Sequence, residues 1–204
     1  MGRPALAESR DTKAELLSAA FELVQKRGYH AFSYQDLAEK LAIKKASIHY
    51  YYPAKEDLGA GLLDAAVARF QGWQDRVRSQ DLSPATQIEA YFDYFANLSA
   101  GGTKICPCGA MAAEWSTLPK RLQDGISRIM KNHREWLMST LQAGRKAGQF
   151  NATGTVEEQA QFVYASVQGA LQATRAQDNP ACFRAITRQI LASISKDGEK
   201  KRSG

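Results

Sequence analysis

The segment LAIKKASIHYYYPAKEDL, from Leu41 to Leu58, decides the fold. Four lysines and no acidic residue occur from Lys40 to Lys55, and three consecutive tyrosines follow a single histidine. Pro53 interrupts the helical pattern here, because the residue before a proline is disfavoured in a helix. The segment therefore predicts a short helix with a cationic and aromatic outer surface, followed by a second helix.

The residues before this segment predict two further helices. A first helix is expected from about Arg10 to Arg27, with apolar residues at helical spacing and Gly28 as its stop. Ser33 can cap a short helix. A tight connection at residues 42–44 then leads to a second short helix, roughly Lys45 to Tyr51. Two short helices joined by such a turn and braced by an earlier helix form a helix-turn-helix.

The second helix of such a unit lies in the major groove of duplex DNA. Its exposed face must offer phosphate contacts and groups that read base edges. The apolar residues expected to face inward are Leu37, Leu41, Ile43 and Ile48; the residues left to point outward, at least in part, are Lys44, Lys45, Ser47, His49, Tyr50 and Tyr51. The alternative is a solvated basic helix whose tyrosines pack against the core, with Tyr51 and Tyr52 as the core candidates.

This layout resembles the TetR family of transcriptional regulators. The resemblance is carried by Arg27-Gly28-Tyr29, Ser33, LAEKLAI from Leu37 to Ile43, and KASIHYYYPAKEDL from Lys45 to Leu58. It implies an N-terminal DNA-binding domain, a separate helical ligand domain and a role for each matching position.

The roles implied by the resemblance fall into three groups. Ser33 would cap its helix and touch a phosphate, while Tyr50 and Lys55 would bind backbone phosphates. Ala46 would offer an apolar contact to a thymine methyl group. The reading helix would also present Lys44, Lys45, Ser47 and His49.

The rest of the chain is expected to be helical as well. Helices or helical elements are predicted over Lys55 to about Ser79, from Pro84, over Pro107 to Leu118, Pro119 to about Ala147, Thr155 to about Gln177, and Pro180 to about Ser195. The predicted fold class is all-α. It has a three-helix helix-turn-helix domain at residues 1–54, an effector-binding and dimerisation domain at 55–197, and a disordered tail at 198–204. Residues 1–9 are expected to form a flexible arm.

The segment ICPCGAMAAEWSTLP, from Ile105 to Pro119, is the second unusual stretch. Cys106 and Cys108 flank a proline that suits a helix start, and a thiol at a helix N-terminus is shifted toward its thiolate. An accessible thiolate reacts with electrophiles and oxidants. Two other readings stay open: buried cysteines that act as small hydrophobes, and a metal-binding pair for which no partner ligands are evident. Some TetR-like repressors that sense electrophiles resemble this segment in a Cys-x-x-Gly pattern followed by Ala-Ala-Glu, here residues 106–109 and 112–114.

Aromatic and adaptable side chains around this segment supply the materials of an effector pocket. The predicted pocket residues are Tyr91, Tyr94, Phe95, Cys106, Cys108, Met111, Trp115, Trp136, Phe162 and Gln168. The alternative for each is a plain core position, because helical spacing predicts both.

The last two helices are the expected dimer interface, since two copies on a two-fold axis extend the DNA contact. Two stripes of small or apolar residues recur there at helical spacing. They are Val163, Val167, Ala170, Leu171 and Thr174, and Ile186, Ile190, Ala192, Ser193 and Ile194. The alternative is that both stripes pack inside the monomer.

The composition is consistent with a DNA-binding protein and argues against a membrane protein or a disulfide-stabilised secreted one. The chain of 204 residues has 44% hydrophobic residues, which is enough for a packed core, and a net charge of +6 that favours an anionic partner. No apolar run would span a membrane, and three cysteines do not suggest a disulfide framework, so a reducing cytoplasm is expected.

The predicted function is a dimeric transcriptional repressor that binds a palindromic double-stranded DNA operator. A small-molecule effector, or modification of Cys106, would release it. No cofactor, metal site or catalytic residue is predicted. The alternatives are a helical thiol enzyme with Cys106 as nucleophile, and a TetR-like activator without a ligand.

Overall fold

The computed structural model describes residues 11–99, 102 and 104–196. The predicted arm at residues 1–9 and the predicted tail at 198–204 lie outside the described residues. Within them the chain forms nine α-helices and no strand, which confirms the all-α prediction. They are α1 (Thr12–Arg27), α2 (Tyr34–Leu41), α3 (Lys45–Tyr51), α4 (Lys55–Arg78), α5 (Pro84–Leu98), α6 (Pro107–Ala112), α7 (Lys120–Lys146), α8 (Val156–Ala176) and α9 (Pro180–Ile194).

Local sequence signals fix most helix ends. Asp11 begins α1, since its carboxylate accepts a hydrogen bond from the Ala14 amide at 3.1 Å. Ser33 is the N-cap of α2 and forms a full capping box with Asp36. Its hydroxyl accepts hydrogen bonds from the amides of Gln35 and Asp36. The Asp36 carboxylate in turn accepts one from the Ser33 amide at 2.8 Å. The predicted element from Pro107 to Leu118 is divided into α6 and a single 3-10 turn, Trp115–Thr117.

Helices α1 to α3 form the head of the molecule. Leu16, Leu37, Ile48 and Leu58 have no exposed surface and join the three helices to the start of α4. The α2–α3 turn passes through Ala42 in the left-handed region, at φ 53°. These three helices therefore form the predicted helix-turn-helix.

Helices α5 to α9 and most of α4 form the body. Its centre is an aromatic cluster in which Phe70 stacks on Trp73 with ring centroids 5.4 Å apart, and Trp136 stacks on Tyr91 at 5.2 Å. His133 lies inside this cluster, 3.6 Å from the Phe70 ring, and shares a 3.2 Å hydrogen bond with the Tyr91 hydroxyl. Burial lowers the pKa of His133 to about 3, so it is a neutral core residue at pH 7.

The two stripes predicted for the dimer interface lie largely inside the monomer. Every member of the α8 stripe is at most 2% exposed, and on α9 Ile190 and Ile194 are buried against α8. Ile186 is half-buried, and only Ala192 and Ser193 are exposed. The assignment of these stripes to the dimer interface is therefore corrected. Their apolar periodicity marks the inner faces of α8 and α9, which are covered within the monomer.

None of the helices in the described part of the chain combines the length and apolar character that crossing a membrane requires.

Candidate DNA-binding surface and effector site

Helix α3 presents most of its predicted reading residues to solvent. Lys44, Lys45, Ala46, His49 and Tyr50 are exposed, and the Tyr50 side chain is 80% exposed. Ser47 is half-buried, and the Ile48 side chain anchors the helix to the core. An exposed cationic face with protruding aromatic and hydroxyl groups can contact phosphates and base edges.

Two tyrosines that follow differ in their environment. Tyr52 is buried, and its carbonyl accepts a 2.8 Å hydrogen bond from the Tyr34 hydroxyl. Tyr51 is exposed and lies edge-on to Tyr50, with ring centroids 5.1 Å apart. Tyr52 therefore belongs to the core and Tyr51 to the surface.

Ser33 and Lys55 are engaged within the head. The Ser33 hydroxyl donates to the Asp36 carboxylate at 2.6 Å, so its proton is already used by the capping box. The Lys55 ammonium donates to the Phe32 carbonyl and lies over the Tyr29 and Phe32 rings, 4.7 and 4.5 Å from their centroids. Burial lowers the pKa of Lys55. In this arrangement Lys55 ties the turn after α1 to the start of α4.

The two cysteines of the second unusual segment form a buried thiol pair. Cys106 is the N-cap residue of α6, and Cys108 lies in its first turn. A hydrogen bond from the Cys108 thiol, helped by the Gly109 amide, lowers the pKa of Cys106 to about 7. The same bond, together with burial, raises the pKa of Cys108. Of the two thiols, Cys106 therefore loses its proton first. Among the described residues, no three His, Cys, Asp or Glu side chains are grouped to hold a metal ion.

A small inner cavity adjoins Cys106. Its free volume is about 10 Å³, barely enough for one water molecule. Four predicted pocket residues line it together with residues that the sequence did not indicate: the predicted four are Tyr94, Phe95, Cys106 and Cys108, and the others are Phe21, Ala66, Arg69, Leu98, Pro107, Ile129 and His133.

The remaining predicted pocket residues are distributed differently. Tyr91 and Met111 are fully buried in the core, where Trp136 packs on Tyr91. Trp115 is 41% exposed and Phe162 is 47% exposed, and neither lines the inner cavity, because each projects from the outer side of its helix. We therefore no longer assign Trp115 and Phe162 to the pocket.

Gln168 reaches the thiol pair from α8. Its Oε1 lies against Gly109, where an added Cβ would come within 2.8 Å. Its Nε2 is buried without a well-formed hydrogen bond, yet it lies near enough to Cys106 to favour the thiolate. The Gln168 amide is thus a hydrogen-bond donor without a well-formed partner beside the Cys106 sulfur.

An outer cleft opens between α1, α4 and α5. Its volume is about 680 Å³, and Phe21, Arg69, Tyr94 and Leu98 line both this cleft and the inner cavity. These four side chains therefore form a shared wall between solvent and Cys106. Arg69 lies over the Phe21 ring on this wall, 4.2 Å from its centroid.

The segment from Ile105 to Glu114, which contains α6, is hydrogen-bonded to the head. The Glu114 carboxylate accepts from the backbone amides of Tyr29 at 3.0 Å and His30 at 2.9 Å. Gly28, at φ 94°, leaves room for this carboxylate, since an added Cβ would lie 2.1 Å from Glu114 Oε1. We call this arrangement the Glu114 clasp.

Gln25 and Arg175 fasten the end of α1 to the body. The buried Gln25 amide donates to the carbonyls of Leu98 at 3.0 Å and Ile105 at 3.2 Å. From α8, the Arg175 guanidinium donates to the carbonyls of Gln25 and Lys26. The residue next to Cys106 is therefore bonded directly to α1.

A helix-turn-helix head with a cationic reading helix, fastened to a helical body that holds an inner cavity beside a buried thiol pair, defines a ligand-controlled DNA-binding regulator. Comparison with known proteins gives the same class. Residues 16–60 match the family described as bacterial regulatory proteins, tetR family, and residues 84–190 match the tetracyclin repressor-like C-terminal domain.

Individual relatives cover nearly the whole chain. A TetR family transcriptional regulator from Agrobacterium tumefaciens is 30% identical, with a TM-score of 0.85 over 89% of this chain and 96% of that one. A TetR regulator from Legionella pneumophila is 27% identical, with a TM-score of 0.83 over 92% and 100%. An uncharacterised HTH-type transcriptional regulator from Lactococcus lactis subsp. lactis is 24% identical over 94% of this chain and 97% of its own length.

The chain belongs to the TetR family. It is a DNA-binding transcriptional regulator of the repressor type that is controlled by a ligand.

Proposed function

We propose that this regulator works as a dimer in a reducing cytoplasm and releases its operator when Cys106 is modified by an electrophile. The single observation that carries the proposal is the buried, charge-holding Cys106 at the start of a helix whose far end is bonded to the DNA-binding head. Three free cysteines suit a reducing compartment.

The ionisation of Cys106 favours reaction at neutral pH. With a pKa of about 7 the thiol is roughly half ionised at pH 7, whereas a thiol at the ordinary value of 9.0 is about 1% ionised. Because the thiolate is the nucleophile, Cys106 should react well ahead of Cys108, whose pKa is raised.

The small free volume beside Cys106 gives its modification a mechanical consequence. A group added to Cys106 cannot fit into about 10 Å³ without displacing its neighbours. Overpacking of this kind costs about 1–3 kcal/mol per site, and therefore about 2–6 kcal/mol for two modified protomers in a dimer. Roughly 5.5 kcal/mol converts a 1:99 equilibrium to 99:1, so the strain is of the size that release requires.

Two routes carry this strain to the reading helices. The first is α4, which joins head and body and can swing as a pendulum. The second is the segment that carries Cys106: Ile105 is bonded to Gln25, and the Glu114 clasp holds the turn after α1. Movement of α6 would change the angle of the head and the spacing of two reading helices on the operator.

The DNA contacts that we propose come mainly from α3. Lys44, Lys45 and Tyr50 are free to approach phosphates, while Ala46, Ser47 and His49 are candidates for base edges. A Ser33 contact with phosphate would require its hydroxyl proton to turn from the Asp36 carboxylate to a phosphate oxygen. Lys45→Ala should weaken binding to all sequences alike and reduce the salt dependence of affinity, because it removes one phosphate contact.

For the dimer we propose the outer faces of α8 and α9. Phe162, Ala165 and Gly169 are exposed on α8, and Ala185 and Ala192 are exposed on α9. An added Cβ at Gly169 meets no atom within 4 Å, so this face is open in the protomer. Small residues beside one large apolar anchor let two helix pairs approach closely.

The test uses operator DNA selected from a random pool and fluorescence anisotropy before and after treatment with N-ethylmaleimide. The wild-type protein and Cys182→Ser, which alters the half-buried third cysteine, should release DNA. Cys106→Ser should bind DNA with unchanged affinity and ignore the reagent. Release of DNA by the Cys106→Ser variant would remove the sensor proposal.

The thiol enzyme has less support. His133 lines the same cavity, but it is bonded to the Tyr91 hydroxyl, and a pKa of about 3 makes it a poor proton acceptor. Turnover of an electrophile without stoichiometric loss of the thiol would favour the enzyme. A TetR-like activator without a ligand would protect DNA upstream of its promoter in a footprinting experiment, and no thiol reagent would alter that protection.

A further inference from the structure

We propose that the outer cleft is an entry site that selects electrophiles carrying an anionic group, and that Arg69 and Arg76 recognise the anion. This inference rests on the proposed role of Cys106 as the reactive thiol. It names the class of effector: a small, flat electrophile with a carboxylate or similar group.

The position of the cleft is the first argument. Cys106 is buried, and Phe21, Arg69, Tyr94 and Leu98 line both the outer cleft and the inner cavity that adjoins its sulfur. Arg69 is the wall residue with an exposed side chain, held by its contact with Phe21. A cation–π contact at an exposed site contributes only about 0.5–1 kcal/mol, so the Arg69 side chain can move aside.

Unbalanced charge is the second argument. Arg69 and Arg76 are seven residues apart on α4, which places them two turns apart on one face. Neither forms an ion pair within the described ranges, whereas Arg121 and Arg128 on α7 are paired with Asp57 and Asp64.

The cleft carries more basic than acidic residues: Arg69, Arg76 and Lys104 line it together with Glu22 and Asp93. Glu22 already binds Lys26 at 2.8 Å, Lys40 at 2.9 Å and Lys104 at 3.7 Å. Asp93, on the α5 side, is exposed and forms no ion pair with another described residue. The two guanidinium groups therefore remain available to a ligand.

The positive charge of Arg69 and Arg76 also acts on the Tyr94 hydroxyl, one of the residues of the shared wall. Burial raises the pKa of the Tyr94 hydroxyl and Cys106 raises it further, while Arg69 and Arg76 both oppose the rise. Tyr94 lines both the outer cleft with Arg69 and Arg76 and the inner cavity beside Cys106. An anion held by the arginines would place its attached electrophilic carbon against this wall.

The size and lining of the cleft fit a small aromatic or unsaturated acid. A volume of about 680 Å³ is in the range of small-molecule sites. Trp73 and Phe21 supply apolar surface beside the cationic groups. For an unsaturated carbonyl compound, the Cys106 sulfur bonds to the β-carbon, and the alkene electron pair moves toward the carbonyl. The α-carbon then takes a proton from water, so no oxidant or reductant is needed.

Iodoacetate and iodoacetamide make a matched pair of probes, because they differ mainly in charge. In both reactions the Cys106 sulfur bonds to carbon, the carbon–iodine bond breaks and iodide leaves. The full-length protein is treated with each reagent, and the rate of alkylation at Cys106 is followed by mass spectrometry. The quantity of interest is the iodoacetate rate divided by the iodoacetamide rate, which cancels general changes in accessibility.

The double substitution Arg69→Gln and Arg76→Gln should lower this ratio about fivefold at low salt. A strong local positive charge can raise the rate at which a small anion arrives by about tenfold or more. Arg69→Lys should keep most of it. Arg188→Gln, which removes one exposed charge from α9, is the control and should leave the ratio unchanged.

An unchanged ratio in the double variant would overturn the inference, as would failure of both reagents to reach Cys106 in the folded protein. The sensor proposal is tested separately, by whether iodoacetamide bound at Cys106 releases DNA. Release with an unchanged ratio would refute only the entry site, whereas a changed ratio without release would refute only the sensor.

Discussion

Removal of the Glu114 clasp should loosen the head without disturbing the core. In Glu114→Ala the amides of Tyr29 and His30 lose their acceptor. Hydrogen bonds to a charged group contribute about 1.5 kcal/mol or more each, which gives about 3 kcal/mol for two. The Glu114 side chain is 23% exposed, so water replaces part of this, and we expect a loss of about 2 kcal/mol.

Urea unfolding at fixed protein concentration measures this loss, because the stability of a dimer depends on concentration. Hydrogen exchange at the Tyr29 and His30 amides should accelerate in the same variant. Gly28→Ala provides a second test, since its Cβ would displace the carboxylate, and the double variant should lose less than the sum of the two single losses. A stability within about 0.5 kcal/mol of wild type, with both amides still protected, would refute the reasoning.

Three further predictions concern the thiol pair, the buried His133 and the proposed dimer face. The rate of Cys106 alkylation should rise with pH through a midpoint near 7, and Cys108→Ala should move that midpoint upward by removing a hydrogen bond to the thiolate; identical midpoints in stopped-flow alkylation would contradict this. Because His133 takes up a proton near pH 6.5 when unfolded but only near 3 when folded, stability should fall as pH falls between these values, by up to about 1.4 kcal/mol per pH unit. In His133→Phe, acid unfolding should show a smaller slope, and an unchanged slope would exclude His133 as the cause. Gly169→Arg should leave the circular dichroism intact but shift sedimentation toward the monomer, whereas Ala68→Arg on the exposed side of α4 should remain a dimer; a dimeric Gly169→Arg protein would place the interface elsewhere.

The fold was predictable because its signals are local. Ser33, Pro84 and Pro180 mark helix starts by their own chemistry, and the cationic segment around Lys45 stands out from neighbouring residues without any tertiary information. A start at Thr12 instead of Arg10 reflects an Asp11 cap that the periodicity did not distinguish.

The candidate site was only partly predictable because it depends on how helices face one another. Periodicity identified the apolar side of α8, but not whether a partner or the monomer covers it. Arg69 and His133 carry no local signal, since their positions next to Cys106 follow from packing between α4, α5 and α7. The bond from Glu114 to the His30 amide joins residues 84 apart in sequence, and only the folded chain reveals it.

If modification of Cys106 releases the operator, as we propose, the covalent bond to its sulfur has a consequence for the time course of gene control. A thioether formed by displacement of a leaving group does not dissociate when the compound has been cleared from the cell. Each modified molecule would stay off its operator until it is degraded or diluted by growth. Recovery of repression would then follow the synthesis rate of new protein, and a brief chemical exposure would leave a response lasting about as long as the polypeptide itself.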